Sequence, residues 1–240
     1  MERLSLCDWP GRATSVLFMG GCNLACPTCH NHGLAWHPER FPVLPRREVL
    51  DLLTQRRLWL DGTTVTGGEP TIVPDLAALL ADLAMVGLPV KLDTNGMRPD
   101  VVERLLKSRL VSVFAVDVKG PFKKYPELTG GAVSAADAQR NIEQIFRLAQ
   151  DNPQAFYFRT TKVPLLDEVD LDTVRGMLPV GLTLVEQNFV APGRNHHAET
   201  DSETRRLSGD MVSGSHRSGD PQSSESQRHQ GSPALQTVGG

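Results

Sequence analysis

Residues 20–32 read GGCNLACPTCHNH and directly follow an apolar run, Ser15–Met19. This stretch holds three of the four cysteines of the chain, Cys22, Cys26 and Cys29, in the spacing C-x3-C-x2-C. Three thiolates cannot all pair as disulfides, and cysteines so close in sequence make poor disulfide partners. They can instead converge on one soft metal centre. A cubane iron–sulfur cluster usually takes four thiolates, so three local ligands would leave one iron open for chemistry.

The composition is that of an ordinary globular protein, with 40% hydrophobic and 22% charged residues in a chain of 240. A formal net charge of −3 gives no electrostatic reason to expect binding to nucleic acid or to an anionic membrane surface. No run approaches the ~20 apolar residues that a membrane span needs, and Met1–Arg3 leads into no apolar signal segment. We therefore expect a cytoplasmic protein, in which thiols stay reduced and clustered cysteines bind metal.

The composition changes sharply near Asn195. The segment from there to Gly240 contains no aromatic residue and is dominated by Ser, Gly, Arg, Gln and acidic residues. Such a segment cannot bury enough apolar surface to offset the entropy of ordering it. The sequence thus predicts one folded domain, residues 1–194, followed by a disordered polar tail, residues 195–240.

Within the folded part, short β-branched or apolar runs alternate with amphipathic segments. The predicted strands are residues 15–19, 63–66, 90–93, 111–116, 155–161 and 183–189. The predicted helices between them are residues 46–58, 74–85, 99–107, 135–149 and 171–177. Strict alternation of strands and helices implies an α/β fold with a parallel sheet and right-handed crossovers. Because six units are fewer than the eight of a closed barrel, we predict an open, partial (β/α)6 barrel.

Chemically active residues occur where the predicted strands end. The cysteine loop follows the first strand, and the turn Gly67-Gly68-Glu69-Pro70 follows the second. The later strands end in polar or charged residues, namely Asp93, Thr94, Asn95, Asp117, Lys119 and Arg159. Each group taken alone also fits a turn or a helix cap. Because parallel strands place ligands at their carboxyl ends, we expect one mouth that holds a polar, zwitterionic ligand beside a metal centre.

The spacing Cys22-x3-Cys26-x2-Cys29, followed by the turn Gly67–Pro70, resembles the radical S-adenosylmethionine (SAM) superfamily over nearly all of residues 4–192. The resemblance implies a partial barrel in which the three cysteines hold a [4Fe–4S] cluster. It also implies that SAM binds the fourth iron and that the glycine-rich turn, Gly67, Gly68 and Glu69, contacts the SAM amino group. The implied activity is that of an oxidoreductase, which cleaves SAM reductively to methionine and a 5′-deoxyadenosyl radical.

Further segments resemble the proteins that activate glycyl radical enzymes. Ser5–Arg12, together with Gly21–Leu24 and Cys29–Asn31, carries this resemblance. Within that group, Lys91–Gly96 and Asp117–Pro121 are most similar to activators of anaerobic ribonucleoside-triphosphate reductase. This resemblance implies that the deoxyadenosyl radical takes a hydrogen atom from a glycine of that reductase. It also implies a low-potential electron donor, such as flavodoxin or ferredoxin, that reduces the cluster.

The same resemblance assigns binding roles to residues of the mouth. It implies that Asp93, Thr94, Asn95, Asp117 and Lys119 line the methionine and ribose of SAM. Arg159 is expected at the same mouth from its place at the end of the fifth predicted strand. A monovalent cation held by Asp93 and Asp117 is also consistent with it. The residue before the third cysteine is usually aromatic and packs near the adenine, whereas here Thr28 takes that place without a stacking ring.

Two other hypotheses remain open. The first is a radical SAM enzyme that acts on a different glycyl radical enzyme or on a small molecule. The second is a structural zinc module, with Cys22, Cys26, Cys29 and His32 as a Cys3His ligand set. A zinc module would leave the acidic and basic residues of the mouth unexplained. The fourth cysteine, Cys7, is predicted to be a small buried residue of the core.

Overall fold

The structure is a computed structural model, and it describes residues 1–191 of the chain. The predicted polar tail lies outside the described residues, so the division into two domains stays a prediction. The described part contains one sheet whose seven strands follow the order of the sequence. The strands are β1 (Glu2–Ser5), β2 (Thr14–Met19), β3 (Gly62–Gly67), β4 (Val90–Thr94), β5 (Val113–Asp117), β6 (Phe156–Lys162) and β7 (Leu184–Asn188).

The six predicted strands are all present and pair in parallel from β2 to β7. The predicted α/β class is therefore confirmed. The sequence did not predict β1, which pairs antiparallel to β2. Three of its four residues are exposed and only Ser5 is buried, so the segment lacks the apolar pattern of a core strand. Within residues 1–191, β1 and β7 form no pairing with each other, and the sheet stays open between them.

Seven α-helices connect the strands in the described residues: α1 (His32–Trp36), α2 (Arg46–Arg56), α3 (Leu76–Val86), α4 (Pro99–Ser108), α5 (Tyr125–Leu128), α6 (Ala135–Asp151) and α7 (Glu168–Met177). The five predicted helices correspond to α2, α3, α4, α6 and α7. The start of α7 was predicted three residues too late. The carboxylate of Asp167 accepts a hydrogen bond from the Asp170 backbone N–H, and the Asp170 carboxylate accepts one from Asp167. This capping box begins the helix at Glu168. Within residues 1–191, no helix has the length and apolar content that crossing a membrane requires.

One row of paired side chains carries the hydrophobic core across the sheet. It consists of Leu17, Val65, Leu92, Phe114 and Phe156, one buried residue from each strand from β2 to β6. Side chains alternate between the two faces of a strand. Lys91, Asp93, Asp117 and Arg159 lie an odd number of positions from the core residue of their strand. They therefore share the opposite face, which faces away from this core.

Cys7 was wrongly predicted to be a core residue, because it is exposed in the turn after β1. Its backbone N–H donates to the hydroxyl of Ser5, 3.2 Å away. The short strand ends at Ser5, which leaves Cys7 outside the sheet.

Candidate active site

A cavity of about 350 Å³ lies at the carboxyl ends of the parallel strands, which is within the usual size range of ligand pockets. It is lined by residues that follow or end each strand from β2 to β7. All the site residues proposed from the sequence line it: Cys22, Cys26, Thr28, Cys29, Gly67, Gly68, Glu69, Asp93, Thr94, Asn95, Asp117, Lys119 and Arg159. The ring of His30, after β2, contacts that of Phe189, after β7, with centroids 5.6 Å apart. The sheet therefore curves around the cavity.

The cysteine loop between β2 and α1 places three free thiols, those of Cys22, Cys26 and Cys29, on the cavity wall. The backbone N–H of Ala25 donates to the carbonyl of Thr129, 3.1 Å away, and anchors the loop to the segment after α5. Burial raises the pKa of all three thiols, and each is raised further by the charge of at least one of the other two. The loop therefore gathers thiols that stay protonated until a metal centre displaces their protons.

The turn after β3 lies directly against the backbone of the cysteine loop. Gly68 N–H donates to the carbonyl of Met19, and Glu69 N–H donates to the carbonyl of Gly21. Each of these hydrogen bonds has a length of 2.8 Å. A Cβ atom at Gly68 would overlap the carbonyl oxygen of Gly21. One at Gly67, where φ is +115°, would overlap the backbone of Met19. The two glycines are thus needed because two backbones touch at this point.

The carboxylate of Glu69 is buried, with 1% of the residue exposed, and joins the β3 turn to the end of β4. Its Oε1 accepts from the Thr71 hydroxyl at 2.5 Å, the Thr71 N–H at 3.1 Å and the Thr94 hydroxyl at 2.7 Å. Its Oε2 accepts from the Asn95 N–H at 2.7 Å. Burial raises the pKa of Glu69, and these hydrogen bonds oppose the rise. Glu69 therefore connects the β3 turn to the end of β4 in the cavity wall, and its Oε2 atom can accept one more hydrogen bond.

Thr94 and Asn95 also use their side chains within the protein. The Thr94 hydroxyl accepts from the Gly96 N–H at 3.2 Å in addition to its bond with Glu69. The Asn95 amide donates to the side-chain oxygen of Asn23 at 2.8 Å, which connects β4 to the cysteine loop. The sequence missed Asn23 as a site residue, because an asparagine in a loop carries no signal of a distant partner. Both Thr94 and Asn95 line the cavity, and their contact with SAM stays a prediction.

Five charged side chains form a continuous series of ion pairs across β4, β5 and β6, in the order Lys91, Asp93, Arg159, Asp117 and Lys119. Arg159 lies between the two aspartates, with Nη1 3.2 Å from Asp93 and Nη2 2.8 Å from Asp117. Lys119 Nζ lies 3.1 Å from the other oxygen of Asp117. Burial alone would raise the pKa of Asp117, but Arg159 and Lys119 outweigh it and lower that pKa to about 2. We name this set the charge series.

Lys91 is a member of the charge series that the sequence reasoning missed. It is fully buried, and its ammonium group contacts Asp93. Burial lowers its pKa, and the charge of Asp93 opposes that shift. The available signal was its position two residues before Asp93 in an apolar strand, which puts both side chains on one face.

The family model of the radical SAM superfamily matches residues 16–176 of the chain. The chain belongs to the radical SAM superfamily. Radical SAM proteins use a [4Fe–4S] cluster and SAM, and these are the cofactors of this chain.

Two curated relatives are activating enzymes. The chain is 36% identical over 173 residues to a provisionally named glycyl-radical enzyme activating enzyme of Methanocaldococcus jannaschii, covering 71% of this chain and 70% of that protein. It is 27% identical over 176 residues to the pyruvate formate-lyase-activating enzyme of Clostridium pasteurianum, covering 70% and 69% respectively. These relatives place the radical SAM domain of this chain near activating enzymes in sequence.

Among solved structures, the radical SAM fold of this chain matches Streptococcus suis SuiB bound to S-adenosylmethionine, with a TM-score of 0.55 and 19% identity. The match covers 81% of this chain and 45% of SuiB, so this chain spans less than half the length of that protein. At this identity the similarity concerns the fold alone.

The residues of the cavity fit a multi-iron cluster better than a single zinc ion. Within residues 1–191, no three Cys, His, Asp or Glu side chains are close enough together to hold one metal ion. His32 does not line the cavity with the thiols, and its ring packs against that of Trp36. A Cys3His zinc site is therefore not supported. Three free thiols spread over one cavity wall are the donor set that a [4Fe–4S] cluster needs at three of its irons.

We expect Asp117→Asn to lower the stability of the cluster-free radical SAM domain in a pH-dependent way. The pKa of Asp117 is lower in the folded protein than in the unfolded chain. The stabilisation of the folded state by the Asp117 carboxylate is therefore complete above the unfolded pKa of about 3.9. That contribution, of up to about 2.5 kcal/mol, is lost as the pH falls through about 2. Urea unfolding of both proteins at a series of pH values tests this. A stability difference that stays constant down to about pH 2 would contradict it.

Proposed function

We propose that this radical SAM enzyme is a glycyl-radical-enzyme activase and that its partner is an anaerobic ribonucleoside-triphosphate reductase. The observation that carries the proposal is the 36% identity to an activating enzyme over 71% of the chain. The segments Lys91–Gly96 and Asp117–Pro121, which resemble the reductase activators, support the choice of partner. Both segments contribute to the cavity wall.

In this proposal, Cys22, Cys26 and Cys29 would hold the cluster, which would supply the low-potential electron for the reductive cleavage of SAM. The protein's own task is to orient SAM and to exclude other hydrogen donors. Lys119 lines the cavity with the three thiols, and its charge lowers the pKa of each of them. It is therefore the residue best placed to bind the SAM carboxylate.

The amino group of SAM needs an acceptor on the same wall. Glu69 has acceptor capacity left on Oε2, and its carboxylate is held rigidly by Thr71, Thr94 and Asn95. Preorganisation of this kind lowers the entropy lost when a ligand binds. Thr28 lines the same cavity and presents a small side chain where an adenine ring can approach.

The partner's glycine must reach the cavity from outside. The cavity lies at the strand ends, where β1 and β7 remain unpaired with each other in residues 1–191. An open sheet admits a loop of a second protein more readily than a closed barrel does. The proposal also includes a low-potential donor such as flavodoxin or ferredoxin, and action in the cytoplasm.

A second candidate partner is another glycyl radical enzyme. The 27% identity to the pyruvate formate-lyase-activating enzyme of Clostridium pasteurianum favours this alternative over a small-molecule substrate. That identity is lower, over a similar share of the chain, than the identity to the Methanocaldococcus jannaschii activating enzyme.

Electron paramagnetic resonance separates these candidates. The cluster-loaded protein is reduced and mixed with SAM and either an anaerobic ribonucleoside-triphosphate reductase or a pyruvate formate-lyase. We expect a glycyl-radical signal with the reductase and none when its radical-bearing glycine is replaced by alanine. A signal only with pyruvate formate-lyase would establish the alternative. Cleavage of SAM without a signal on either protein would overturn the activase proposal.

A further inference from the structure

The family resemblance is consistent with a monovalent cation bound between Asp93 and Asp117. In this chain the charge series already provides these two carboxylates with cationic partners. All four carboxylate oxygens of this pair already contact a cationic side chain. Asp93 Oδ1 contacts Lys91 and Asp93 Oδ2 contacts Arg159. Asp117 Oδ1 contacts Arg159 and Asp117 Oδ2 contacts Lys119. The position between the two aspartates is occupied by a guanidinium group.

The same side chains are held in place by burial. The side chain of Lys91 is 0% exposed and that of Arg159 is 14% exposed, whereas that of Asp117, nearer the opening, is 30% exposed. Burial favours the uncharged form of Lys91 and Arg159, and the aspartates oppose this effect. For Arg159 the aspartates prevail and raise its pKa. Removing Lys91 would leave Asp93 with Arg159 as its one remaining cationic contact in the described residues, in a partly buried site.

A metal ion would meet two obstacles at this place. Hard cations bind to carboxylate oxygens, and here a metal ion would have to share each oxygen with a protein cation that already contacts it. The charge series also contains three cations and two anions, so an added cation would be repelled at short range. Sodium or potassium could bind only after Lys91 or Arg159 had moved away.

We propose that Lys91 and Arg159 act as built-in cations of this site, so that the chain binds SAM without a monovalent metal ion. In this arrangement the two side chains hold Asp93 and Asp117 in fixed positions on the cavity wall. Lys91 and Arg159 are positioning residues, since they act on the ligand through the aspartates. The inference concerns SAM binding and is independent of which partner the enzyme activates.

Ion exchange in the unaltered protein tests the proposal first. The SAM dissociation constant of the cluster-loaded protein is measured in sodium, potassium and choline chloride at equal ionic strength. We expect the three values to agree within about twofold, since no differential ion binding couples to SAM. A second readout is the thermal unfolding of the cluster-free protein, which should also be the same in the three salts. A loss of SAM affinity of about tenfold or more in choline would overturn the proposal.

Replacing Lys91 by methionine tests the residue itself, because methionine is unbranched, one atom shorter than lysine and uncharged. We expect Lys91→Met to bind SAM about tenfold more weakly in choline chloride and to recover affinity with sodium or potassium. The cluster-free variant should also unfold at a higher temperature in those two salts than in choline. Affinity and unfolding temperature unchanged from the unaltered protein in every salt would refute the role of Lys91.

Two further variants complete the comparison. Lys107→Met removes an exposed lysine of α4 that pairs with Glu103, and it should behave like the unaltered protein. Lys91→Arg keeps the charge and should stay insensitive to the choice of salt. If Lys91→Met does not fold, the SAM dissociation constants of Lys91→Arg and of the unaltered protein in the three salts test the proposal instead. If SAM binding to Lys91→Arg or to the unaltered protein depended on the choice of salt, Lys91 would not act as a built-in cation.

Discussion

Alanine at Cys22, Cys26 or Cys29 is expected to abolish the reductive cleavage of SAM. The three thiols line one cavity wall, and the loop between β2 and α1 offers no fourth cysteine that could replace one of them. A cluster with only two protein thiolates loses affinity and cannot keep a defined open iron. We therefore expect iron and acid-labile sulfide content to fall well below that of the unaltered protein after anaerobic reconstitution. Formation of 5′-deoxyadenosine should fall below detection.

Cys7→Ala is the matched control for this experiment. Cys7 is free like the other three, but it is exposed in the turn after β1 and does not line the cavity. We expect this variant to retain the iron content and the deoxyadenosine formation of the unaltered protein. If an alanine variant of the cysteine loop matched Cys7→Ala in both measurements, that cysteine would not be a cluster ligand.

Gly68→Ala is expected to have the second large effect, on both folding and SAM binding. The added methyl group would overlap the carbonyl oxygen of Gly21, a backbone atom that cannot move without shifting the cysteine loop. The hydrogen bond from Glu69 N–H to the same carbonyl would also be strained. We expect a loss of about 3 kcal/mol in the free energy of unfolding of the cluster-free protein. After cluster reconstitution, SAM binding measured by calorimetry should be lost.

Gly176→Ala provides the control for the glycine substitution. Gly176 lies in α7, and a Cβ atom there would meet no atom within 4 Å beyond its chain neighbours and the nearby backbone of its own helix. Alanine has a higher helix propensity than glycine, so we expect this variant to gain about 0.5–1 kcal/mol. Full SAM affinity in Gly68→Ala would show that the contact between the two loops is not required for the site.

The position of the cavity follows from the order of the strands in the sequence. Alternating strands and helices imply a parallel sheet, and the carboxyl ends of parallel strands meet at one edge. The strand order predicts that the cysteine loop, Glu69 and Arg159 lie together although they are far apart in the chain, and all three line the cavity. The antiparallel strand β1 and the exposed Cys7 escaped prediction, because a short polar edge segment carries no periodic apolar signal.

The individual contacts within the cavity could not be predicted in the same way. The pairing of Arg159 with both Asp93 and Asp117 depends on the register of β4, β5 and β6, which no local pattern specifies. The bond between Asn95 and Asn23 depends on how the cysteine loop folds back over β4. Such contacts join residues whose spacing along the chain carries no information about their distance in space.

The amino-acid sequence is thus sufficient to identify the chemistry of this protein. Three cysteines within eight residues predict the donor set of a cluster, because the thiols lie in one loop whatever surrounds them. Which charged groups contact one another in the cavity could be determined only from the folded structure. Whether Asp93 and Asp117 face a metal ion or protein cations depends on Lys91 and Arg159, which reach them through strand pairing and burial. Long-range electrostatic partners are a property of the packed sheet, and the cysteine loop is a property of the sequence.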